Sequence, residues 1–325
     1  DVLGSRGLGD VYKRQDYKPS LLFRSGHLST CFPTIFRKVE IKYERERIDT
    51  PDGDFLDIDW VKNNNQSVLV LCHGLEGSSN SNYIKGIAKY FSARNWDILV
   101  MNYRGCSGEM NKKIKFYNMG QIEDLALVLD KTKGYKKVVL AGFSLGGGLV
   151  LNYLGKTKEY TENLKCAIAV SAPCDAYGSS KKFDEKGNLI YRKYFLNKLK
   201  SKMEAKLKIY PDNEKLKEGL KANSIEEFDN LFTSAVYGYK DAVDYYNHVS
   251  ANKVLKYIKI PTLILMAKDD PIMSDSCYPV EESKENKNIT LQITKYGGHV
   301  GYVQLGKESY WLEERMYEYI KDGKI

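Results

Sequence analysis

Residues 136–154 read KKVVLAGFSLGGGLVLNYL. The first half is a short apolar run, typical of a strand buried on both faces of a sheet, and the second half has a helical pattern. The motif Gly142-Phe143-Ser144-Leu145-Gly146 lies at the junction. A serine between two glycines at such a junction is typical of a nucleophile elbow, a strained turn that exposes the serine hydroxyl. We therefore predict Ser144 as a nucleophile; the alternative is an ordinary serine in a glycine-rich turn.

On both sides of this turn, buried strands alternate with helices. The alternation predicts an α/β fold with a mostly parallel, twisted sheet and flanking helices. Ahead of it, residues 38–61 alternate between polar and apolar on either side of Thr50-Pro51-Asp52-Gly53, which predicts an antiparallel hairpin. The predicted strands are 67–74, 96–105, 136–144, 165–173, 260–271 and 288–299, and the predicted helices are 80–94, 122–131, 145–154 and 306–324.

Two segments depart from the alternation. Residues 1–15, DVLGSRGLGDVYKRQ, have no periodicity, and we interpret them as non-native or disordered, so that a single α/β domain would span 16–325. Residues 177–256 carry helical patterns and many lysines but no strong strand, which predicts a helical insert, or cap. Tyrosines in this insert could line an acyl pocket or belong to a packed core. They are Tyr237, Tyr239, Tyr245 and Tyr246.

His299 is the candidate base. It lies in the segment YGGHVG (296–301), on the loop after the last predicted strand. A serine hydroxyl is a weak nucleophile until a base accepts its proton, and the chain has only four histidines from which that base could come. The alternative is a loop histidine that only forms hydrogen bonds.

The acid that would orient this base is sought at the end of the preceding strand. Asp269 and Asp270 both follow the apolar run TLILMA, and the order Ser, Asp, His is the one found in α/β-hydrolases. We favour Asp270, because the acid usually lies three residues past the small residue that ends this strand, here Ala267. Asp269 is the second choice, and both aspartates could merely cap the turn before Pro271.

A third glycine-rich loop, HGLEGS (73–78), follows the first predicted parallel strand. In the α/β-hydrolase fold this loop supplies one backbone amide of the oxyanion hole, and the residue after the nucleophile supplies the other. We therefore predict the amides of Leu75 and Leu145 as oxyanion donors. A plain turn or a phosphate-binding loop is the alternative, although neither GxGxxG nor GK[ST] is present here.

Composition limits the remaining functions. The net charge is +8 without a basic run interleaved with aromatics, so no nucleic-acid partner is predicted, although this charge permits attraction to an anionic membrane surface. No apolar run reaches about 18 residues, so no transmembrane helix is predicted. The six cysteines form no CxxC pair, so we predict no metal site and no cofactor, and we expect a reduced, cytoplasmic protein.

Taken together, the motifs resemble the YheT-like branch of the α/β-hydrolases from about residue 20 to the end. This resemblance implies the α/β-hydrolase fold and a carboxylic ester hydrolase whose triad is Ser144, Asp270 and His299. Eukaryotic members are assigned to acylglycerol or phospholipid cleavage. The segments that carry the resemblance are GHL (26–28), PDGDF (51–55), HGLEGS (73–78), NYRGCSG (102–108), GFSLGGG (142–148), SAP (171–173), AKDDP (267–271) and GGHVG (297–301).

The hypothesis from the sequence is therefore hydrolysis of a small-molecule or lipid ester through an acyl-serine intermediate. Three alternatives stay open. An acyltransferase would use the same triad with an alcohol as acceptor, a peptidase or amidase would cleave an amide, and a binding module could share the fold without catalysis.

Overall fold

A computed structural model describes residues 17–322, and the prediction for residues 1–15 therefore lies outside the described residues. Its centre is an eight-stranded sheet with the spatial order β1-β2-β4-β3-β5-β6-β7-β8. The strands are β1 (Glu44–Asp49), β2 (Phe55–Val61), β3 (Ser67–Cys72), β4 (Asp97–Asn102), β5 (Lys137–Phe143), β6 (Leu164–Val170), β7 (Thr262–Ala267) and β8 (Ile289–Thr294).

The antiparallel pairings among the described strands are the two that β2 makes. β1 pairs with β2 around the register Ile48–Leu56, which confirms the predicted hairpin, and β2 then pairs antiparallel with β4. All the other pairings from β4 to β8 are parallel. The carboxyl ends of the parallel strands therefore lie along one edge, where an α/β sheet binds its ligands.

The central strands are apolar throughout because both faces of the sheet are covered. Val138 and Leu140 of β5 pack into one core, whereas their neighbours Val139 and Ala141 pack into a second core on the opposite face. This two-residue alternation between two buried faces is what produces a continuous apolar run. The predicted mostly parallel sheet is confirmed.

The helices follow the predicted pattern with two additions, one before the hairpin and a short one between the last two strands. They are α1 (Gly26–Phe36), α2 (Asn82–Ser92), α3 (Ile122–Asp130), α4 (Leu145–Lys156), α5 (Ala176–Asp184), α6 (Leu189–Leu207), α7 (Glu214–Gly219), α8 (Ile225–Phe228), α9 (Ser234–Tyr237), α10 (Ala242–Val249), α11 (Val280–Lys284) and α12 (Trp311–Asp322). The sequence did not predict α1. Within residues 17–322, no helix combines the length and the apolar character needed to cross a bilayer.

The helices α5 to α10 lie between β6 and β7, as predicted for the insert. They enclose a core of their own, built around Leu199, Met203, Phe228 and Phe232. A five-residue π-helical segment, Asp229–Thr233, joins α8 to α9. The division of the chain into one domain with an insert at 177–256 stays a prediction.

Candidate active site

Ser144 stands alone between the end of β5 and the start of α4 with φ 55° and ψ −123°, a left-handed backbone that side chains rarely adopt. The flanking glycines are required by space. A Cβ at Gly142 would lie 2.1 Å from the carbonyl oxygen of Gly146, and one at Gly146 would lie 2.3 Å from that of Cys72. Without side chains at these two positions, the strand and helix approach closely enough to form the sharp turn.

His299 lies between Ser144 and Asp270. Its Nε2 is 2.7 Å from Ser144 Oγ, and its Nδ1 is 2.9 Å from Asp270 Oδ2. The second carboxylate oxygen of Asp270 accepts the Ile272 amide at 2.9 Å, and the carboxylate is buried. The structure thus brings the three predicted side chains into one hydrogen-bonded line, in which an imidazole protonated on Nδ1 can accept the serine proton on Nε2.

Asp269 contacts a different group. Its Oδ1 accepts the backbone N–H of Gly298 at 2.9 Å, one residue before the histidine. Burial raises the pKa of this carboxyl above its ordinary value, and the Gly298 amide opposes that shift. Asp269 therefore shapes the loop that carries His299, whereas Asp270 contacts the imidazole itself.

The loop that carries His299 is held in an unusual backbone conformation. Val300 and Tyr302 have φ values of 60° and 44°, and Gly298 has 59°. The backbone N–H of His299 donates to Thr30 Oγ1 of α1 at 2.8 Å. A helix that the sequence did not predict therefore fixes the position of the candidate base.

The predicted oxyanion donors lie beside the serine. Leu75 and Leu145 line the same cavity as Ser144 and His299, and neither leucine amide has a hydrogen-bond acceptor among residues 17–322. The loop approaches closely, since a Cβ at Gly74 would lie 3.2 Å from Ser144 Cβ. Two adjacent unbonded amides are what an oxyanion hole offers to a developing negative charge.

Glu76, next to Leu75, has φ 54° and is held from two sides. Tyr117 accepts the Glu76 backbone N–H at 2.8 Å and donates its hydroxyl to Glu76 Oε1 at 2.6 Å. Lys202 of α6 donates to the same oxygen at 2.8 Å. Burial opposes the charge on Lys202, but Cys106 and Glu76 outweigh it, so that its pKa is raised. No sequence pattern indicated this contact, because Lys202 is one of many lysines in the insert.

His73 begins the same loop but is placed for support rather than for proton transfer. It is fully buried, its Nδ1 donates to the Gly74 carbonyl at 2.8 Å, and its Nε2 accepts the Tyr103 amide at 3.3 Å. Burial lowers the pKa of His73 to about 3, which keeps the imidazole neutral. Both ring nitrogens are thereby used to fix the backbone that precedes Leu75.

A cavity of about 110 Å³ opens next to the serine. The sheet-end loops and the insert both contribute to it, and its wall is mainly apolar. Its aromatic lining includes Tyr237, Tyr245 and Tyr246, whereas Tyr239 packs instead on Tyr245 and His248, with ring centroids 5.4 and 5.3 Å apart. Further apolar lining residues are Phe116, Met119, Phe183, Phe195, Leu199, Phe228 and Phe232.

One carboxyl group interrupts this apolar wall. Asp229, in the π-helical segment, accepts hydrogen bonds from Thr233 at 2.6 Å and from the Tyr246 hydroxyl at 2.8 Å. Burial raises its pKa to about 6. Among residues 17–322, no group of three or more His, Cys, Asp or Glu side chains is arranged to hold a metal ion.

Comparison with known proteins gives consistent relatives. The family model of the alpha/beta hydrolase fold matches residues 67–304. YheT of Escherichia coli (strain K12), which is named as a candidate esterase, is 36% identical over 94% of this chain and 93% of its own length. Phospholipase ABHD3 of Mus musculus is 32% identical over 84% of this chain and 69% of its own length. Monoacylglycerol lipase of Saccharomyces cerevisiae (strain ATCC 204508 / S288c) is 30% identical over 84% of this chain and 62% of its own length.

Solved structures show the same fold at lower sequence similarity. The Pyrococcus furiosus esterase Pf2001 matches with a TM-score of 0.57 and 17% identity, covering 86% of this chain and 91% of that chain. The esterase EaEST from Exiguobacterium antarcticum matches with a TM-score of 0.57 and 16% identity, covering 86% of this chain and 100% of that chain. The predicted α/β-hydrolase fold is confirmed.

Proposed function

We propose, from the premise that this chain belongs to the α/β-hydrolase family and to its YheT-like branch, that it hydrolyses carboxylic esters through an acyl intermediate on Ser144. The observation that carries the proposal is the hydrogen-bonded line from Ser144 Oγ through His299 to Asp270. Relatives named as esterase, phospholipase and acylglycerol lipase support ester chemistry.

In the proposed reaction, Ser144 attacks the ester carbonyl while His299 Nε2 accepts the hydroxyl proton. Asp270 keeps the imidazole in the required tautomer and stabilises the imidazolium that forms. The amides of Leu75 and Leu145 stabilise the oxyanion, a contribution of about 2.7–4 kcal/mol for a single donor. His299 then protonates the leaving alkoxide, and water activated by the same imidazole hydrolyses the acyl-serine.

The acyl side of the substrate would occupy the apolar cavity. Its volume of about 110 Å³ is below the roughly 300–1,000 Å³ of pockets that enclose drug-sized ligands. A short acyl group fits this volume as the structure stands, whereas a long lipid chain would require the insert to move.

We place the reaction in the cytoplasm, because all six cysteines lie among the described residues and none is disulfide-bonded.

The test is covalent labelling by a fluorophosphonate, followed by turnover of p-nitrophenyl esters of increasing chain length. Ser144→Ala should abolish labelling and lower kcat by about 10⁶-fold. Ser179→Ala is the matched control, because Ser179 lines the same cavity but its hydroxyl bonds to the Ile272 carbonyl. Folded protein that is neither labelled nor active on any ester would refute the proposal, as would equal labelling of the Ser144→Ala variant.

A further inference from the structure

Helix α1 carries its apolar side chains on the side that faces away from the protein. Leu28, Ile35 and Phe36 are 46%, 65% and 64% exposed. With the half-buried Phe32, they follow the spacing i, i+4, i+7, i+8, which places all four on one helical face. Ser29 and Pro33 of the same helix are buried, so the small and polar residues of α1 face the protein.

The turn before α1 extends this apolar face. Leu21 and Leu22 are 77% and 57% exposed, whereas Phe23 between them and the helix is buried. The Phe23 ring packs on Phe32, with centroids 4.8 Å apart, and so joins the turn to the outward side of α1. We use the name "α1 surface" for the five exposed side chains Leu21, Leu22, Leu28, Ile35 and Phe36.

All the charged residues of the segment that carries the α1 surface are basic. Residues 17–39 contain Lys18, Arg24, Arg37 and Lys38 and no Asp or Glu. Arg37 pairs with Glu313 at 2.6 Å, whereas Lys18, Arg24 and Lys38 are exposed. A segment that combines exposed basic residues with exposed leucine, isoleucine and phenylalanine has the composition that binds the interface of an anionic bilayer, where each cation contributes about 1 kcal/mol.

The buried side of α1 is bonded directly to the catalytic end of the sheet. Thr30 accepts the His299 amide, and Ser29 donates to the Gly297 carbonyl at 3.0 Å. At the start of the helix, Gly26 lies so close to the acid turn that a Cβ there would lie 1.7 Å from the Asp269 carbonyl oxygen. Whatever binds the outer side of α1 is therefore separated from the loop that carries His299 only by this helix.

We propose that the α1 surface docks on an anionic lipid bilayer and thereby holds the candidate active site at the membrane surface, within reach of lipid esters. The docking step is independent of the proposed activity. Only the benefit for lipid substrates rests on the proposed function.

Vesicle co-sedimentation tests the docking step. The chain carrying Ser144→Ala is mixed with vesicles of phosphatidylcholine alone or of phosphatidylcholine with phosphatidylglycerol. We expect binding to the anionic vesicles, and a decrease in the partition coefficient of about tenfold or more when Leu21, Leu22, Ile35 and Phe36 are all changed to Ser. These four side chains are exposed, so circular dichroism should show an unchanged fold.

Two further variants separate the causes. Lys18→Gln, Arg24→Gln and Lys38→Gln together should weaken binding to anionic vesicles and reduce its salt dependence. The matched control is Val243→Ser with Tyr257→Ser, two exposed apolar positions outside α1, which should leave binding unchanged. Absence of binding to anionic vesicles, or equal binding by the four-serine variant, would overturn the proposal. A dimer that the four-serine variant converts to monomer would also overturn it, because a second copy would then cover the α1 surface.

Turnover distinguishes this proposal from the proposed activity. In the Ser144 form, the four-serine variant should hydrolyse a soluble p-nitrophenyl ester at the unaltered rate and lose activity only on an ester embedded in anionic vesicles. A chain that binds vesicles but hydrolyses no ester would refute the esterase proposal and leave the docking intact.

Discussion

At the scale of single residues, two neighbouring aspartates contact different parts of the candidate site. Asp270 contacts the imidazole of His299, whereas Asp269 contacts the backbone of the histidine loop. We expect Asp270→Asn to lower kcat by about 10⁴-fold, because an amide no longer holds the required imidazole tautomer. Asp269→Asn keeps an oxygen for the Gly298 amide, so its kcat should fall by less than about tenfold. Ester turnover of the two purified variants makes the comparison, and equal losses would contradict the assignment.

His73 gives a prediction about pH and stability. Its pKa is about 3 in the folded protein against 6.5 in the unfolded chain. Below about pH 6.5 the imidazole binds a proton in the unfolded chain but stays neutral in the folded protein. The contribution of His73 to the free energy of unfolding is therefore complete above pH 6.5 and is lost as pH falls towards 3. The loss approaches about 1.4 kcal/mol per pH unit.

Urea unfolding at about pH 7 and about pH 5 measures this effect. His73→Gln should be less stable than the parent at the higher pH, yet its free energy of unfolding should fall less on acidification. His248→Gln is the control, since His248 is exposed. Equal pH slopes for the parent and His73→Gln would show that His73 is not held neutral.

The sequence predicted those residues of the candidate site whose determinants are adjacent in the chain. Ser144 could be predicted because its two glycines, its strand and its helix are all adjacent in the chain. Lys202 could not, because its partner Glu76 is 126 residues away and any lysine of the insert had the same local pattern. Thr30 is likewise distant from His299 by 269 residues.

At the scale of elements, helix α6 supports the oxyanion loop through Lys202. Lys202→Met would leave the Glu76 carboxylate with Tyr117 as its remaining side-chain partner, and the loop could leave its left-handed conformation at residue 76. We expect kcat to fall about 10- to 100-fold with a smaller change in KM, because the Leu75 amide acts mainly on the transition state.

Lys202→Arg should recover part of the rate, since it retains a donor for Glu76. Lys200→Met on the same helix is the control, because no contact with Glu76 involves it. A Lys202→Met enzyme with normal kcat and reduced stability alone would show that the ion pair only holds the insert to the sheet.

Element prediction succeeded for the strands that fill two cores, and it failed for helix α1, whose apolar side chains point outward, and for α11, which is only five residues long. The strands β3 to β7 were predicted because each one fills two cores. Helix α1 was missed because its apolar residues face solvent and Pro33 interrupts its interior. The π-helical segment Asp229–Thr233 has no sequence signature, since its extra residue is accommodated by packing within the insert.

At the scale of the whole molecule, the cavity lies between the sheet-end loops and the helical insert, which both contribute to its wall next to Ser144. Phe195 of α6 belongs to its wall and is half-buried. Phe195→Ala should enlarge the cavity and shift kcat/KM towards longer acyl chains, with a one-methylene change worth about 10-fold or more.

The measurement is kcat/KM across a series of p-nitrophenyl esters. Tyr257→Ala is the control, because it removes an aromatic ring of similar size. Tyr257 precedes the start of β7, whereas the cavity lies at the carboxyl ends of the strands, so this variant should leave the chain-length preference unchanged. An unaltered preference in Phe195→Ala would mean that acyl chains bind elsewhere.

The placement of the insert has a consequence for modularity. β6 and β7 are direct neighbours, paired from Ala167–Thr262 to Val170–Leu265, although the chain leaves the sheet between them for the six helices α5 to α10. Both ends of this excursion are fixed by the strands, so a foreign segment of different length could be grafted there without a change of sheet register. Because Lys202 lies in this excursion, a graft that is to retain the full rate must also bring a cation to Glu76.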